Sequence, residues 1–330
     1  MSVSRRLALP ALVAVSALGL SACGDGGSGA ADGQAGAAGD AAITVVTATN
    51  VYGDIAAAVG GDDVEVTSIV SSLSQDPHSY EPTVQDKLAV SEAGLVIENG
   101  GGYDAFLGRL ADETGVETVL NAVELSGLEE HADEEPAGED HEGEEHAGEG
   151  HGHGSFNEHV WYDLPAMATL ATAIADELAR LDEPNADAYR QRAEAFVEEL
   201  RPLQERLAAL ASENEGRDVE VAVTEPVPAY LLEAAGLEDV TPEAFTEAIE
   251  EESDVPVAAL DEMKTLVEGG GLAFLAYNGQ TEGAQTEAVR SVADEAGLPV
   301  VEFTETLPDG EDYVSWMTGN TDSIDAALGS

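Results

Sequence analysis

The chain reads as an α/β protein of two similar lobes, each with a central, mostly parallel sheet, joined by a long bridging helix. Three observations carry that reading. β-Branched runs alternate with short helical stretches, first between residues 43 and 120 and again between 219 and 303. An unbroken apolar stripe of helical period separates the two sets. The 330 residues, 43% of them apolar, suffice for two domains of ordinary size.

In order, Ile43–Thr49 is a β-branched strand, followed by a helical stretch from Val51 to Val59. Val64–Val70 is a second strand, Thr83–Ala93 is helical and Gly94–Glu98 is a third strand. Ala105–Leu110 and Val116–Leu120 continue the alternation, which marks βαβ units and a parallel sheet. The pattern returns with strands at Val219–Thr224, Gly271–Tyr277 and Leu298–Phe303. Helices at Ala229–Ala235, Val255–Val267 and Thr281–Ala296 lie between them. No direct sequence repeat links the two halves.

Between the lobes, Ala186, Tyr189, Ala193, Phe196, Leu200, Leu203, Leu207 and Leu210 recur at alternating spacings of 3 and 4. They line one face of a helix predicted over residues 185–213. At 1.5 Å per residue it spans about 43 Å, enough to bridge two lobes. Pro202 should kink it, yet the stripe keeps phase across that proline. A coiled-coil dimer seam is the alternative for the stripe; its Ala and Tyr positions suit packing on a lobe better.

The N-terminus carries an address. Arg5 and Arg6 precede an apolar stretch from Leu7 to Leu20, too short to span a membrane and right for a signal-peptide core. It closes on Leu20-Ser21-Ala22-Cys23, which resembles the lipobox of bacterial lipoproteins. Cys23 is the single cysteine, so an intrachain disulfide is excluded and lipidation is the expected role. Gly24–Ala41 has no large apolar residue and reads as a flexible tether with a span of roughly 25 Å. These features predict an extracytoplasmic body anchored to the cell membrane by lipid.

Twelve basic residues against 67 acidic ones give a net charge of −55. Such a surface excludes nucleic acid and charge-driven docking on anionic lipid. It favours cationic ligands, or adaptation to high salt. From Glu129 to His153 there are eleven acids, no bases and five histidines: His131, His141, His146, His151 and His153. This stretch cannot bury a core and is expected to be a loop that gathers metal weakly.

The domain reading is therefore a signal peptide at 1–22, lipidated cysteine and tether at 23–41, and an N-terminal lobe at 42–127. The acidic His-rich loop follows at 128–156, the end of that lobe at 157–184, the helix at 185–213 and a C-terminal lobe at 214–330.

Two histidines remain. His78 lies in Asp76-Pro-His-Ser-Tyr-Glu-Pro82, beyond the Val64–Val70 strand. His159 lies in Asn157-Glu-His-Val-Trp-Tyr-Asp163, before a helix that starts near Pro165. Glu225 directly follows the strand Val219–Thr224, and Glu305 comes two residues after Leu298–Phe303. Ligands of open parallel sheets bind beyond the carboxyl ends of strands, where three of these four residues sit. One site in the cleft between the lobes follows.

These motifs resemble the metal-specific solute-binding proteins of bacterial ABC importers, the zinc and manganese receptor class. Asp76–Pro82 matches that family's first ligand motif and Glu158-His-Val-Trp161 the second; Val223-Thr-Glu225, with Tyr230 following, sits where the third falls, a place where zinc members often carry His and manganese members Glu. Phe303-Thr-Glu305 falls where the family usually places an aspartate, with Asp309 as the fallback if the register differs. The resemblance runs from Ile43 to the C-terminal helix. It implies metal ligation by His78, His159, Glu225 and Glu305, a membrane permease subunit as partner, and a bridging helix that limits opening to small tilts. A monomer is expected.

Two imidazoles and two carboxylates form a neutral set for a dication, which zinc takes tetrahedrally. Manganese wants more donors and would need bidentate carboxylates. Oxygen-rich ligation by itself tilts towards manganese and the His-rich loop tilts back towards zinc, so zinc is the expected cargo and manganese the alternative. Affinity is expected to fall below roughly pH 6, where ordinary histidines protonate. A metallo-hydrolase is disfavoured, because neither a His-Glu-x-x-His nor a Gly-x-Ser-x-Gly pattern is present. A surface adhesin or zinc store without transport has the same sequence features.

Overall fold

The structure, a computed structural model, describes residues 42–75, 77–129, 156–251 and 253–329. The leader, Cys23 and its tether, Asp76 and the five histidines between His131 and His153 lie outside the described residues. No helix among the described residues is long and apolar enough to cross a membrane.

Two four-stranded, wholly parallel sheets organise the body. The first runs in the order β2-β1-β3-β4, with β1 at Ile43–Thr49, β2 at Val64–Val70, β3 at Leu95–Glu98 and β4 at Val119–Asn121. Its crossovers are α1 (Asn50–Gly60), α2 (Val84–Ser91) and α3 (Ala105–Thr114). Val45, Val46, Val96 and Ile97 are fully buried, as expected of strands covered on both faces. A short α4 (Ala122–Ser126) follows β4, and α5 (Leu164–Leu181) completes the lobe.

The second sheet repeats that order as β6-β5-β7-β8, with β5 at Glu220–Val223, β6 at Glu238–Asp239, β7 at Leu275–Asn278 and β8 at Val300–Phe303. Each new strand thus takes the place of its counterpart in the first lobe. Its helices are α7 (Ala229–Ala234), α8 (Glu243–Glu250), α9 (Val257–Glu268) and α10 (Ala284–Ala296), and α11 (Tyr313–Leu328) closes the chain.

Helix α6 (Ala186–Asn214) is the 29-residue bridge, continuous through Pro202. Its stripe from Tyr189 to Leu210 is buried inside this one chain, which removes the coiled-coil seam. Burial of seven side chains outweighs the one hydrogen bond that Pro202 forfeits. Near its start Arg192 donates to Gly60 O at 2.8 Å and meets Asp63 at 3.0 Å. At its end Asn214 donates to Ala235 O at 3.0 Å. Gly236, at φ 73°, lies so close that a Cβ would sit 2.8 Å from Ala211 Cα, so only glycine permits this seat.

Hydrogen bonds also clasp the lobes directly. Asn50 donates to Leu307 O at 2.8 Å and accepts from Leu307 N at 2.9 Å. Tyr313 N donates to Asp54 at 2.8 Å, and Tyr162 Oη to Thr304 O at 2.8 Å. Across the cleft, Gln280 donates to Gln75 O at 3.2 Å.

Candidate metal centre

The carboxyl ends of the strands of both sheets deliver the chemistry. The loop after β2 brings in His78. β5 runs into Thr224 and Glu225, β7 ends on Asn278, and β8 leads to Glu305. His159 precedes a 3-10 turn, Val160–Tyr162, and α5 then starts at a fixed angle. There Asp163 caps the helix by accepting from Ala166 N at 2.6 Å, with Pro165 in its first turn.

All four predicted residues converge. His78 Nε2 lies 3.3 Å from Glu305 Oε2 and 3.6 Å from Glu225 Oε1. The His78 and His159 rings are 5.9 Å apart between centroids. His78, His159 and Glu305 each offer one ligand atom, all within 4.8 Å of one another. His159 and Glu305 are fully buried, Glu225 is 1% exposed and His78 9%. Asp309, the fallback, is exposed outside this cluster.

Neighbouring groups fix how each residue faces the cluster. Asn157 Nδ2 donates to Pro226 O at 2.9 Å, so its Oδ1 must be the atom 2.6 Å from His159 Nδ1. That acceptor puts the His159 proton on Nδ1 and makes Nε2 the acceptor nitrogen of the ring. Asn157 is itself tied to the second lobe, because Tyr230 Oη donates to its carbonyl at 2.6 Å.

Asn278 donates to both carboxylates, to Glu225 Oε2 at 2.6 Å and Glu305 Oε1 at 2.8 Å. Thr281 Oγ1 donates to the same Glu225 Oε2. That oxygen has both acceptor sites filled, whereas Glu225 Oε1 accepts no hydrogen bond among the described residues. Glu225 is thereby presented through one oxygen. On Glu305, Asn278 occupies one site of Oε1, while Tyr103 Oη donates to Oε2 at 2.9 Å and His78 Nε2 lies 3.3 Å from the same oxygen.

The electrostatics follow from crowding. Burial opposes a charged His78, but the hydrogen-bonded Glu305 and the charges of Glu305, Glu225 and Glu158 overcome it and raise its pKa to about 10. Burial and the Glu305 charge push Glu225 up to about 8, against the pull of His78. Burial would raise Glu305 too, yet His78 holds it below the usual carboxylate range. Two buried carboxylates beside two imidazoles need positive charge, which protons or a dication can supply.

Asn278, Thr281, Tyr103 and Asn157 were not singled out by sequence reading. Asn278 carried one usable sign, its place at the carboxyl end of a strand; the others look like ordinary loop or turn residues.

Fold and site together define a two-lobed binding protein with a buried imidazole–carboxylate cluster between its lobes. Residues 45–327 match the model of ZnuA, the zinc-uptake complex component A, periplasmic. The chain belongs to that family. Among its relatives is the manganese-binding lipoprotein MntA of Halalkalibacterium halodurans, 26% identical over 60% of this chain and 59% of that protein. The metal ABC transporter substrate-binding lipoprotein FimA of Streptococcus parasanguinis is 28% identical over 96% of this chain and 97% of its own. Among solved structures, the periplasmic zinc-binding protein TroA from Treponema pallidum superposes with a TM-score of 0.69 at 20% identity. That match covers 87% of this chain and 99% of TroA and extends the agreement in fold.

Proposed function

We propose that this chain captures a divalent transition-metal ion, zinc, between its lobes and delivers it to the membrane subunit of an ABC-type importer. His78, His159, Glu225 and Glu305 are the ligands. Cys23 carries the lipid anchor, and the monomeric body works outside the membrane. The observation that carries the reading is the buried convergence of two imidazoles and two carboxylates, drawn from both lobes.

The neighbours of that cluster support zinc. With Glu225 restricted to one oxygen, two imidazole nitrogens, Glu225 Oε1 and one Glu305 oxygen give four donors, the number zinc prefers. A bidentate Glu305 would raise the count to five, short of the octahedral shell that manganese favours. Manganese is the second reading, supported by Glu305, which has an acceptor site on Oε1 and would gain one on Oε2 once His78 gives up its proton.

Elemental analysis of untagged protein, followed by competitive titration of the metal-free chain, tests this reading. Zinc should occupy one tight site and exceed manganese in affinity. His78→Ala should abolish the tight site. Manganese as the sole tight ion would select the second reading, and tight binding by His78→Ala would remove both.

A further inference from the structure

The turn between β7 and α10 touches three of the four ligand-bearing segments. Asn278 and Thr281 hold the carboxylates of Glu225 and Glu305, as described above. Gln280 holds backbone instead. Its Oε1 accepts from Glu305 N at 2.7 Å, Thr306 N at 2.9 Å and Thr306 Oγ1 at 3.2 Å. Backbone N–H groups only donate, so this end of the amide is the oxygen and the other end is the NH2 group. That Nε2 donates to Gln75 O, in the first lobe, at 3.2 Å.

Gln75 stands three residues before His78. It closes a turn in which its N–H donates to Ser72 O at 2.9 Å and its Oε1 accepts from Ser71 N at 3.2 Å. Beyond His78 the loop is tied to its own lobe, because Tyr80 Oη donates to Asp86 Oδ2 at 2.9 Å and Thr83 caps α2. The loop is thus held to the first lobe after His78 and to the second lobe before it. The amide that makes the second tie also sets the backbone at Glu305, whose Oε2 lies 3.3 Å from His78 Nε2.

The two histidine segments differ in how they meet the second lobe. The His159 segment is fastened through Asn157 and Tyr162 by hydrogen bonds of 2.9, 2.6 and 2.8 Å. The tie at Gln75 is longer and stands at a solvent-open cleft of about 510 Å³, which Gln280 lines together with His78 and Glu225. Water competes for it there.

We infer that Gln280 is a positioning residue that ties the His78 loop to the Glu305 segment across the cleft and so sets how long the metal stays bound. The inference rests on the metal-capture reading above. A ligand set drawn from two lobes opens only when a ligand of one lobe parts from those of the other. Here the parting ligand is His78, and its withdrawal breaks the Gln280–Gln75 hydrogen bond while Gln280 keeps its grip on Glu305 and Thr306.

Stopped-flow kinetics on the full chain, loaded with zinc and mixed with a chelator at pH 8, tests the inference. Trp161 lies 5.1 Å from His159 between ring centroids and supplies the fluorescence. Gln280→Glu keeps an acceptor for Glu305 N and Thr306 N, but its carboxylate cannot donate to Gln75 O. Gln280→Met removes both functions and adds no charge. Both should release zinc faster than wild type, Gln280→Glu by about three- to ten-fold, the worth of one hydrogen bond in a rate. The zinc-edge spectrum of loaded Gln280→Glu should match that of wild type, because the four ligands are untouched. Gln285→Glu adds the same charge to the same cleft and should not speed release, since negative charge holds a cation. Wild-type release in Gln280→Glu would overturn the inference, even with fast release in Gln280→Met, because Gln280 would then act on the Glu305 segment alone. Equal speeding in Gln285→Glu, which means a cleft loosened by charge, would overturn it too.

Hydrogen exchange of the metal-free chain separates this inference from the reading beneath it. The Gln75 amide should exchange at least about three-fold faster in Gln280→Glu than in wild type, while the Glu305 and Thr306 amides stay protected. Equal exchange at Gln75 would overturn the tie. A wild-type chain that takes up no zinc would overturn the metal-capture reading instead, and the exchange would still report on the tie alone.

Discussion

At the scale of the residue, the metal-free cluster is a proton store. With His78 raised to about 10 and Glu225 to about 8, protons occupy it at pH 7. The bound state holds fewer protons than the free state, so raising the pH favours binding. The fall in affinity expected below roughly pH 6 is thus moved upward, and apparent zinc affinity should still climb between pH 6 and 8. Calorimetry in buffers of different ionisation heat should show at least one proton released per zinc at pH 7. No release would contradict the account. Asn157→Ala should weaken zinc about 10–100-fold, because it frees the His159 tautomer; an unchanged dissociation constant would refute that role. The four candidate ligands were legible because imidazoles are few here and strand ends are where open sheets bind ligands. Asn278 and Thr281 were not, because an amide and a hydroxyl acquire meaning only when two distant carboxylates meet them.

At the scale of the element, α6 was legible because its period is sustained over seven turns, and burial of one face decides a helix more firmly than propensity does. Its boundaries came within one residue. The helix α8 and the two-residue β6 were missed, and Gly271–Tyr277 shortened to Leu275–Asn278. Stretches this short give too few positions to separate a period of 2 from one of 3.6. Pro202, exposed within α6, carries a local penalty that the buried stripe offsets. Pro202→Ala should therefore stabilise the fold by about 1–3 kcal/mol in denaturant unfolding. Leu203→Ala, at a buried stripe position, should destabilise it by about 2–5 kcal/mol. A loss of stability in Pro202→Ala would show that the proline serves the bridge.

At the scale of the whole molecule, a net charge of −55 sets the conditions for folding. Carboxylates that outnumber basic groups 67 to 12 repel one another unless salt screens them, over about 10 Å at 0.1 M. Stability should rise as sodium chloride goes from about 0.01 to 1 M. Independence from salt would remove the high-salt reading. Composition gave the charge, and the alternation of strands and helices gave the two-lobed class, because both are patterns summed over many residues. The meeting of His78 with Glu225, 147 positions away in sequence, is a product of how the two sheets face each other. Deleting 129–153 should leave the tight zinc equivalent and remove only weaker ones.

The central claim, four side chains around one dication, is tested most directly by X-ray absorption at the zinc edge of the loaded protein. The account expects four nitrogen or oxygen donors at about 2.0–2.2 Å, with the outer-shell scattering of two imidazoles and no sulfur. His78→Ala, loaded at high zinc, should show one imidazole fewer. A six-oxygen shell, or a spectrum that His78→Ala leaves unchanged, would contradict it.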